Sequence, residues 1–171
     1  MKIFATADQH FFHKNILLYE SEYRPWDNLD DMHNFMISQW NEIVSIHDFV
    51  IHLGDFGFGS VEQLSTISKK LNGTKILIKG NHDRSRSDRK WEEIGFKAVY
   101  KKPLCCNGFI LSHKPVENVT DGFINIHGHV HSKPTGLDYS RYFNVSVEMH
   151  NFQPVELPND IFGCDKIRNN K

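Results

Sequence analysis

Metal-binding residue types recur directly after five short apolar runs of this chain. The residues that follow the runs are, in order, Asp8 and His10, Asp55, Asn81, His113, and His129 with His131. Short apolar runs bounded by Gly or turn residues are typical of buried strands. In open α/β sheets, the ligand site lies beyond the carboxyl ends of the strands. The run ends therefore predict one shared metal centre.

The seven side chains offer carboxylate, amide and imidazole donors but no thiolate. A structural zinc ion takes four ligands and usually some Cys, so this set is too large for one such site. If one carboxylate bridges two ions, each ion receives four protein ligands and keeps room for water. Paired ions about 3.5–4 Å apart clamp the attacking and leaving oxygens of an in-line displacement. Mixed N and O donors suit Mn, Fe, Zn, Co or Ni. We therefore expect two divalent transition-metal ions, with Mn as the first to be tested.

The spacing of the ligands suggests how they are presented. Asp8 and His10 are two residues apart, as are His129 and His131. In an extended chain this spacing places both side chains of a pair on one face. Glycine directly precedes three of the seven residues, which indicates tight turns and close approach of the backbone to an ion.

In their order along the chain, the motifs D-x-H, G-D, G-N-H-D, S-H and G-H-x-H resemble those of the calcineurin-like metallophosphoesterase superfamily. The chain is most similar to small single-domain bacterial and viral members. These often read D-x-H-F-x-H-x-N-I near the start and H-L-G-D-F in the middle, and the matching stretches here are residues 8–16 and 52–56. The resemblance implies an α/β fold, a layered α/β/β/α sandwich of two mixed sheets flanked by helices, with the metal site at the C-terminal ends of strands.

The resemblance also implies a role for each site residue. The first ion would be held by Asp8, His10, Asp55 and His131, and the second by Asp55, Asn81, His113 and His129. His82 would act beside the metals as a catalytic residue, and Asp83 would orient its ring. Phe12 stands where close relatives tend to have Gly, and its bulk predicts a narrowed pocket mouth.

The expected activity is that of a metal-dependent phosphoric ester hydrolase. Metal binding lowers the pKa of water from 15.7 to about 7, so a metal-bridging hydroxide would attack a phosphodiester or phosphomonoester in line. His82 would assist the leaving group. Two alternatives use the same chemistry, a nuclease and a protein phosphatase, and a third is a catalytically silent metal-binding scaffold. Because every ligand and His82 are present, the scaffold is the weakest of them.

The remaining histidines and basic residues have less specific interpretations. His52 and His127 lie inside apolar runs and are predicted to be hydrogen-bonded core residues. His33, His47 and His150 lie in polar surroundings and are predicted to be at the surface. The residues left open, either as pocket lining or as solvent-facing positions, are His13, Arg24, Lys114, Arg141 and the basic run 84–90.

Composition limits the partners. The chain has 20 basic and 21 acidic side chains and a net charge of −1, so no dedicated nucleic-acid or membrane surface is indicated. We expect a small phosphorylated or nucleotide-like substrate. The three cysteines, two of them adjacent, suggest no disulfide framework and fit a cytoplasmic location.

Alternating β and α patterns in the first half predict a largely parallel sheet with crossover helices, and the β-rich second half predicts a second sheet. The predicted strands are residues 2–7, 49–53, 75–79, 98–101, 108–112, 123–127, 142–146 and 153–157. The predicted helices are residues 14–19, one starting at 28 or 29, 61–71 and 88–94. We expect a single domain over residues 1–162 and a polar tail at 163–171.

Overall fold

The protein is built from nine strands and four α-helices in the part of the chain that the computed structural model describes, residues 1–162. The strands are β1 (Ile3–Thr6), β2 (Phe49–His52), β3 (Thr74–Ile78), β4 (Phe96–Tyr100), β5 (Leu104–Cys106), β6 (Phe109–Leu111), β7 (Ile124–His127), β8 (Tyr142–Asn144) and β9 (Val155–Leu157). The helices are α1 (Ile16–Tyr19), α2 (Leu29–Ile43), α3 (Val61–Lys70) and α4 (Asp88–Ile94). The predicted tail at 163–171 lies outside the described residues.

The strands form two mixed sheets. The first has the order β4-β3-β2-β1-β9, in which β1 to β4 are parallel and β9 is antiparallel to β1. The second has the order β5-β6-β7-β8, in which only the β5–β6 pair is antiparallel. Parallel neighbours align their carboxyl ends. The prediction of two mixed sheets flanked by helices is confirmed.

Alternation along the central strands creates two apolar layers. In β1, Phe4 packs with residues of α2 and α3, whereas Ile3 and Ala5 pack with Leu111 and Ile126 of the second sheet. Successive side chains of a strand point to opposite faces, so one face of the first sheet contacts helices and the other contacts the second sheet. The apolar layer between the two sheets therefore fixes the position of the strand ends of one sheet relative to those of the other.

Local sequence signals set the helix boundaries. The side chain of Asn28 accepts a hydrogen bond from the backbone N–H of Asp31 and starts α2. Ser60 and Gln63 form a reciprocal capping box at the start of α3. Gly95, with φ +118°, ends α4 in the left-handed conformation that glycine tolerates. These signals explain why the predicted positions of the long helices are confirmed.

The fold contains one strand that the sequence analysis does not predict, and one sequence-based expectation is wrong. The strand β5 was not predicted, because its three residues follow Pro103 and carry no alternating pattern. His33 was expected at the surface, yet it is only 4% exposed. Its ring packs against Phe11 and Phe12, and its Nε2 accepts a hydrogen bond from the backbone N–H of Phe12.

Within residues 1–162, every helix is too short or too polar to cross a lipid bilayer.

The buried His33 predicts a specific pH dependence of stability. Burial lowers the pKa of His33 to about 4, so between about pH 6.5 and pH 4 the unfolded chain binds a proton that the folded protein does not. The free energy of unfolding therefore falls as the pH drops through this window, by up to about 3 kcal/mol from this residue. We expect His33→Gln to flatten the wild-type slope in urea denaturation at pH 4 to 7.

His47→Gln is the matched control, because His47 is exposed. An unchanged slope in His33→Gln, or an equal change in His47→Gln, would contradict the assignment of this pH dependence to His33.

Candidate metal centre

The predicted ligands lie on loops with an unusual backbone. Five of the seven have positive φ, namely Asp8 (65°), His10 (53°), Asp55 (57°), His129 (71°) and His131 (51°). Positive φ is uncommon for residues other than glycine, and such strain concentrates at functional sites. The expectation that the paired ligands sit in extended chain is therefore wrong. In each pair, two residues with left-handed backbone flank a residue with negative φ, and this backbone sets the direction of the ligand side chains.

The loops pack so closely that glycine is required where they meet. A Cβ at Gly80 would lie 2.1 Å from Oδ1 of Asp55, and a Cβ at Gly128 would lie 2.4 Å from Oδ2 of Asp8. Both distances are shorter than any tolerated contact. The backbone is closely approached at these glycines, as predicted. The group that approaches it, however, is a carboxylate from a neighbouring loop.

The seven residues come together as two adjoining groups. One potential ligand atom from each of Asp8, His10 and His131 lies within 4.8 Å of the others, and the same holds for Asp55, His113 and His129. The side chain of Asn81 joins the second group, because its Oδ1 lies 3.0 Å from Nε2 of His113.

Asp55 lies between the two groups. Its Oδ2 is 3.7 Å from Nε2 of His10 in the first group and 3.4 Å from Nε2 of His113 in the second. Its Oδ1 accepts a hydrogen bond from the backbone N–H of His82. This is the position that the predicted bridging role requires.

Hydrogen bonds on the far side of two rings direct the other ring nitrogen inward. Nδ1 of His113 donates to the carbonyl of Leu53 at 2.8 Å, and Nδ1 of His131 donates to Glu148 at 2.9 Å. Such partners fix the tautomer of a metal-binding histidine. In both residues Nε2 is then the nitrogen left to bind an ion.

A buried ion pair that sequence reasoning missed supports the first group. Nε and Nη2 of Arg24 donate to Oε1 of Glu148 at 2.8 and 2.6 Å. Arg24 also donates to the carbonyls of Gln9 and Asp8, and it is only 1% exposed. The sequence alone leaves Arg24 open between pocket lining and a solvent-facing position, and the burial of its side chain excludes both. Neither residue adjoins a ligand in sequence, so no local signal indicated the pair.

Burial and neighbouring charges shift the pKa values of the site in both directions. Carboxylate neighbours outweigh burial and raise the pKa of His113 and His131. Burial lowers the pKa of His10 well below its usual value and that of His129 to about 4. Burial raises the pKa of Asp8 to about 6. It would do the same for Asp55, but the rings of His113 and His10 hold the pKa of Asp55 below its ordinary range. Neutral imidazoles and ionised carboxylates are the forms that coordinate metals, and the pKa shifts of His10, His129 and Asp55 favour these forms.

Unpaired buried atoms test whether metal ions fit this site. Oδ1 of Asp8 and both ring nitrogens of His10 are buried and have no hydrogen-bond partner within residues 1–162. Buried polar atoms almost always have a partner. Bound cations at the two groups would satisfy these atoms, so the donor set fits a pair of mixed N/O sites.

His82 lies at the open edge of the centre. Its side chain is 45% exposed, and its Nε2 is 3.9 Å from Oδ2 of Asp55. The rings of Phe58 and His13 stack at 4.1 Å, and both border His10 and His82. His13, which the sequence left open, therefore lines the site.

Two expectations about neighbouring residues are corrected. The carboxylate of Asp83 does not contact the His82 ring; it accepts from the backbone N–H groups of Asp55 (2.6 Å), Phe56 (3.2 Å) and Gly80 (2.8 Å). Phe12 does not narrow the pocket mouth, because its ring packs on His33 and on the apolar layer between the first sheet and the helices. Its φ of +62° explains why glycine suits this position.

The other histidines of the apolar runs lie in the core, as predicted. Nε2 of His52 hydrogen-bonds to Gln9, and its Nδ1 accepts from the backbone N–H of Gly54 at 3.1 Å. His127 is 2% exposed and hydrogen-bonds to the carbonyl of Gly128. Arg141, also left open, pairs with Asp121 on the surface.

The fold and the two ligand groups are those of an α/β protein with a candidate dinuclear site at its strand ends. The chain belongs to the calcineurin-like phosphoesterase family, whose model matches residues 1–170. An uncharacterised protein of Methanocaldococcus jannaschii, MJ1445, is 34% identical over 167 residues, which are 91% of this chain and 87% of that protein.

Two solved structures are similar in fold. AQ665 of Aquifex aeolicus, described as a protein of unknown function, matches with a TM-score of 0.71 and 26% identity, over 91% of this chain and 95% of that one. The Pseudomonas putida nuclease MPE matches with a TM-score of 0.53 and 22% identity, over 75% of this chain and 61% of that one. At this identity the nuclease shows a shared fold alone.

The contact between Glu148 and His131 predicts a defect in metal binding. Glu148→Gln keeps an acceptor for the His131 ring but removes the charge, and loss of such a partner typically lowers metal affinity by about 10–100-fold. Titration with Mn²⁺ by calorimetry checks this, and one of the two sites should weaken. The control is Glu156→Gln, because Glu156 pairs with Lys2 on the surface. Unchanged affinity at both sites would refute the supporting role.

The contacts of Asp83 predict a loss of stability in the metal-free protein. Asp83→Asn retains one acceptor oxygen and leaves a buried N–H without a partner, which costs about 1–3 kcal/mol. Urea denaturation after chelation measures this, with the exposed Asp121→Asn as control. Wild-type stability of Asp83→Asn would show that these hydrogen bonds do not hold the loops.

Proposed function

We propose that this protein is a dinuclear-metal-dependent phosphoesterase that hydrolyses a phosphodiester or phosphomonoester. The observation that carries the proposal is the position of Asp55, within 3.7 Å of a ligand nitrogen in each of the two groups. The family supports the reaction class, and the buried unpaired atoms of Asp8 and His10 support the cations. Residues 1–162 act as a single catalytic domain in this proposal.

The first ion would be held by Asp8, His10, Asp55 and His131, and the second by Asp55, Asn81, His113 and His129. Two divalent cations there would supply an activated water and offset the charge that develops on the phosphate oxygens. Mn is the ion we would load first, and Fe, Zn, Ni and Co suit the same donors.

The protein's own residues position the reactants and move the proton. In the net reaction, water adds to phosphorus, the bond from phosphorus to the leaving oxygen breaks, and that oxygen takes up a proton. His82 is the proton donor we propose, because its ring is exposed beside Asp55. The backbone N–H of His82 donates a hydrogen bond to Oδ1 of Asp55. This hydrogen bond holds His82 beside the proposed ligands. General-acid assistance of this kind is worth about 10²–10⁴ in rate.

The partner in this proposal is a small phosphorylated or nucleotide-like molecule, and the location is cytoplasmic. The near-neutral composition supports a small substrate over a long nucleic acid. A silent scaffold is disfavoured because all seven ligand positions and His82 are filled by competent residues. Nuclease and protein phosphatase activities use the same ligands and are distinguished by substrate tests.

The test compares hydrolysis of bis(4-nitrophenyl) phosphate and 4-nitrophenyl phosphate by protein loaded with Mn²⁺. We expect His82→Ala to retain both metals and to lose about 10²–10⁴ in turnover. Asp55→Ala should lose metal as well as turnover, because its carboxylate contacts both groups. Metal content is measured by mass spectrometry on the same samples.

The exposed His47→Ala is the control and should behave as the wild type. Metal-loaded, folded protein without turnover on either ester would support the scaffold alternative. Loss of metal in His82→Ala would instead make His82 a ligand.

A further inference from the structure

A second recess adjoins the metal centre. It is a cleft of about 200 Å³. Its lining includes Asn81 and His113, which also belong to the second ligand group. The rest of the lining includes Arg84, from the turn after β3, Lys101 and Lys102, which follow β4, and Lys114, which follows β6. Three separate loops therefore bring basic side chains to one place beside the candidate ions.

The charge of the cleft is not neutralised by the protein. Lys79 and Lys101 both pair with Asp88, at 2.7 and 3.1 Å. Arg84, Lys102 and Lys114 have no ion pair with any carboxylate of residues 1–162, although all three are exposed. The lining of the cleft thus holds five cationic side chains and no carboxylate, in a chain whose net charge is −1.

The size and the donors of the cleft define what it would bind. Sites for whole small molecules occupy about 300–1,000 Å³, so this cleft suits a single charged group. A phosphate group carries nearly two negative charges and three acceptor oxygens. Arg and Lys donors from several directions can each reach one of these three oxygens, whereas a carboxylate offers only two.

We propose that the cleft lined by Arg84, Lys102 and Lys114 binds a second phosphate group of the substrate, so that the preferred substrates are bisphosphorylated. This inference rests on the proposed phosphoesterase function, because one phosphate is taken to lie at the metal centre. It gives Lys114 and the start of the basic run 84–90 a role that their sequence context left open.

The test uses two pairs of chromogenic esters that differ only in a second phosphate. The first pair is thymidine 3′-(4-nitrophenyl phosphate) with and without a 5′-phosphate, and the second is thymidine 5′-(4-nitrophenyl phosphate) with and without a 3′-phosphate. We expect the second phosphate to lower KM about tenfold in at least one pair, since each exposed ion pair adds only a modest attraction.

The variant with Arg84→Ala, Lys102→Ala and Lys114→Ala should lose this difference between the paired esters. The matched control is Lys69→Ala, Lys90→Ala and Lys97→Ala, which removes the same charge from exposed positions outside the cleft. The control should keep the difference, so that a general effect of net charge is excluded.

A binding measurement separates this inference from the proposed function. Calorimetry with propylphosphonate and propane-1,3-diylbisphosphonate, on Mn²⁺-loaded protein, needs no hydrolysis. Tighter binding of the bisphosphonate in wild type and control, but not in the cleft variant, supports the cleft. Equal binding of the two phosphonates, together with equal KM within both ester pairs, overturns it. Absence of turnover on all esters would count against the phosphoesterase and leaves the binding result as the test of the cleft.

Discussion

The carboxylate of Asp83 is the contact on which the metal centre depends. It is fully buried and accepts three backbone N–H groups from two loops, one after β2 and one after β3. These loops carry Asp55 and Asn81, and the glycine at 80 lets them approach to a distance that any side chain would block. Parallel strands bring the loops to the same edge of the sheet. The hydrogen bonds of Asp83 then tie the two loops together next to Asp55.

A second buried carboxylate does the same for the other half of the site. Glu148 receives Arg24 on one side and the ring of His131 on the other, while Arg24 also holds the carbonyls of Asp8 and Gln9. Burial alone would raise the pKa of Glu148, but the positive charge of Arg24 and the hydrogen bond from His131 together have the larger effect. The pKa of Glu148 is therefore lowered, and the carboxylate stays charged. Three chain segments far apart in sequence are thus tied to the first ligand group. A buried pair of this kind adds little net stability, so its value lies in geometry.

The sequence predicted what is local and missed what is not. The proposed ligand positions, the strand ends and the capped helices follow from residue types at fixed spacing, and the structure brings all seven proposed ligands together. The wrong expectations, for Phe12, His33 and the His82 contact of Asp83, and the buried pair of Arg24 that the sequence did not indicate, concern side chains whose partners lie elsewhere in the chain. The left-handed backbone at Asp8 and His10 was also not predicted, because glycine is the usual residue at such positions and Asp and His adopt them only occasionally.

The same distinction separates the proposed metal ligands from the loops that select the substrate. Ligands at strand ends are set by the sheet, and one constellation serves monoesters and diesters alike. Substrate choice depends on the loops around the centre, and here the loops differ in character on two sides. On the side of His10, the rings of His13 and Phe58 form an aromatic edge. On the side of His113, basic residues surround a small cleft. An aromatic edge would contact the uncharged part of a substrate, and a basic cleft would contact a second anion. In the proposed function, a ligand that spans both, with one phosphate between them at the metal centre, would therefore contact more of the site than inorganic phosphate or a simple ester would.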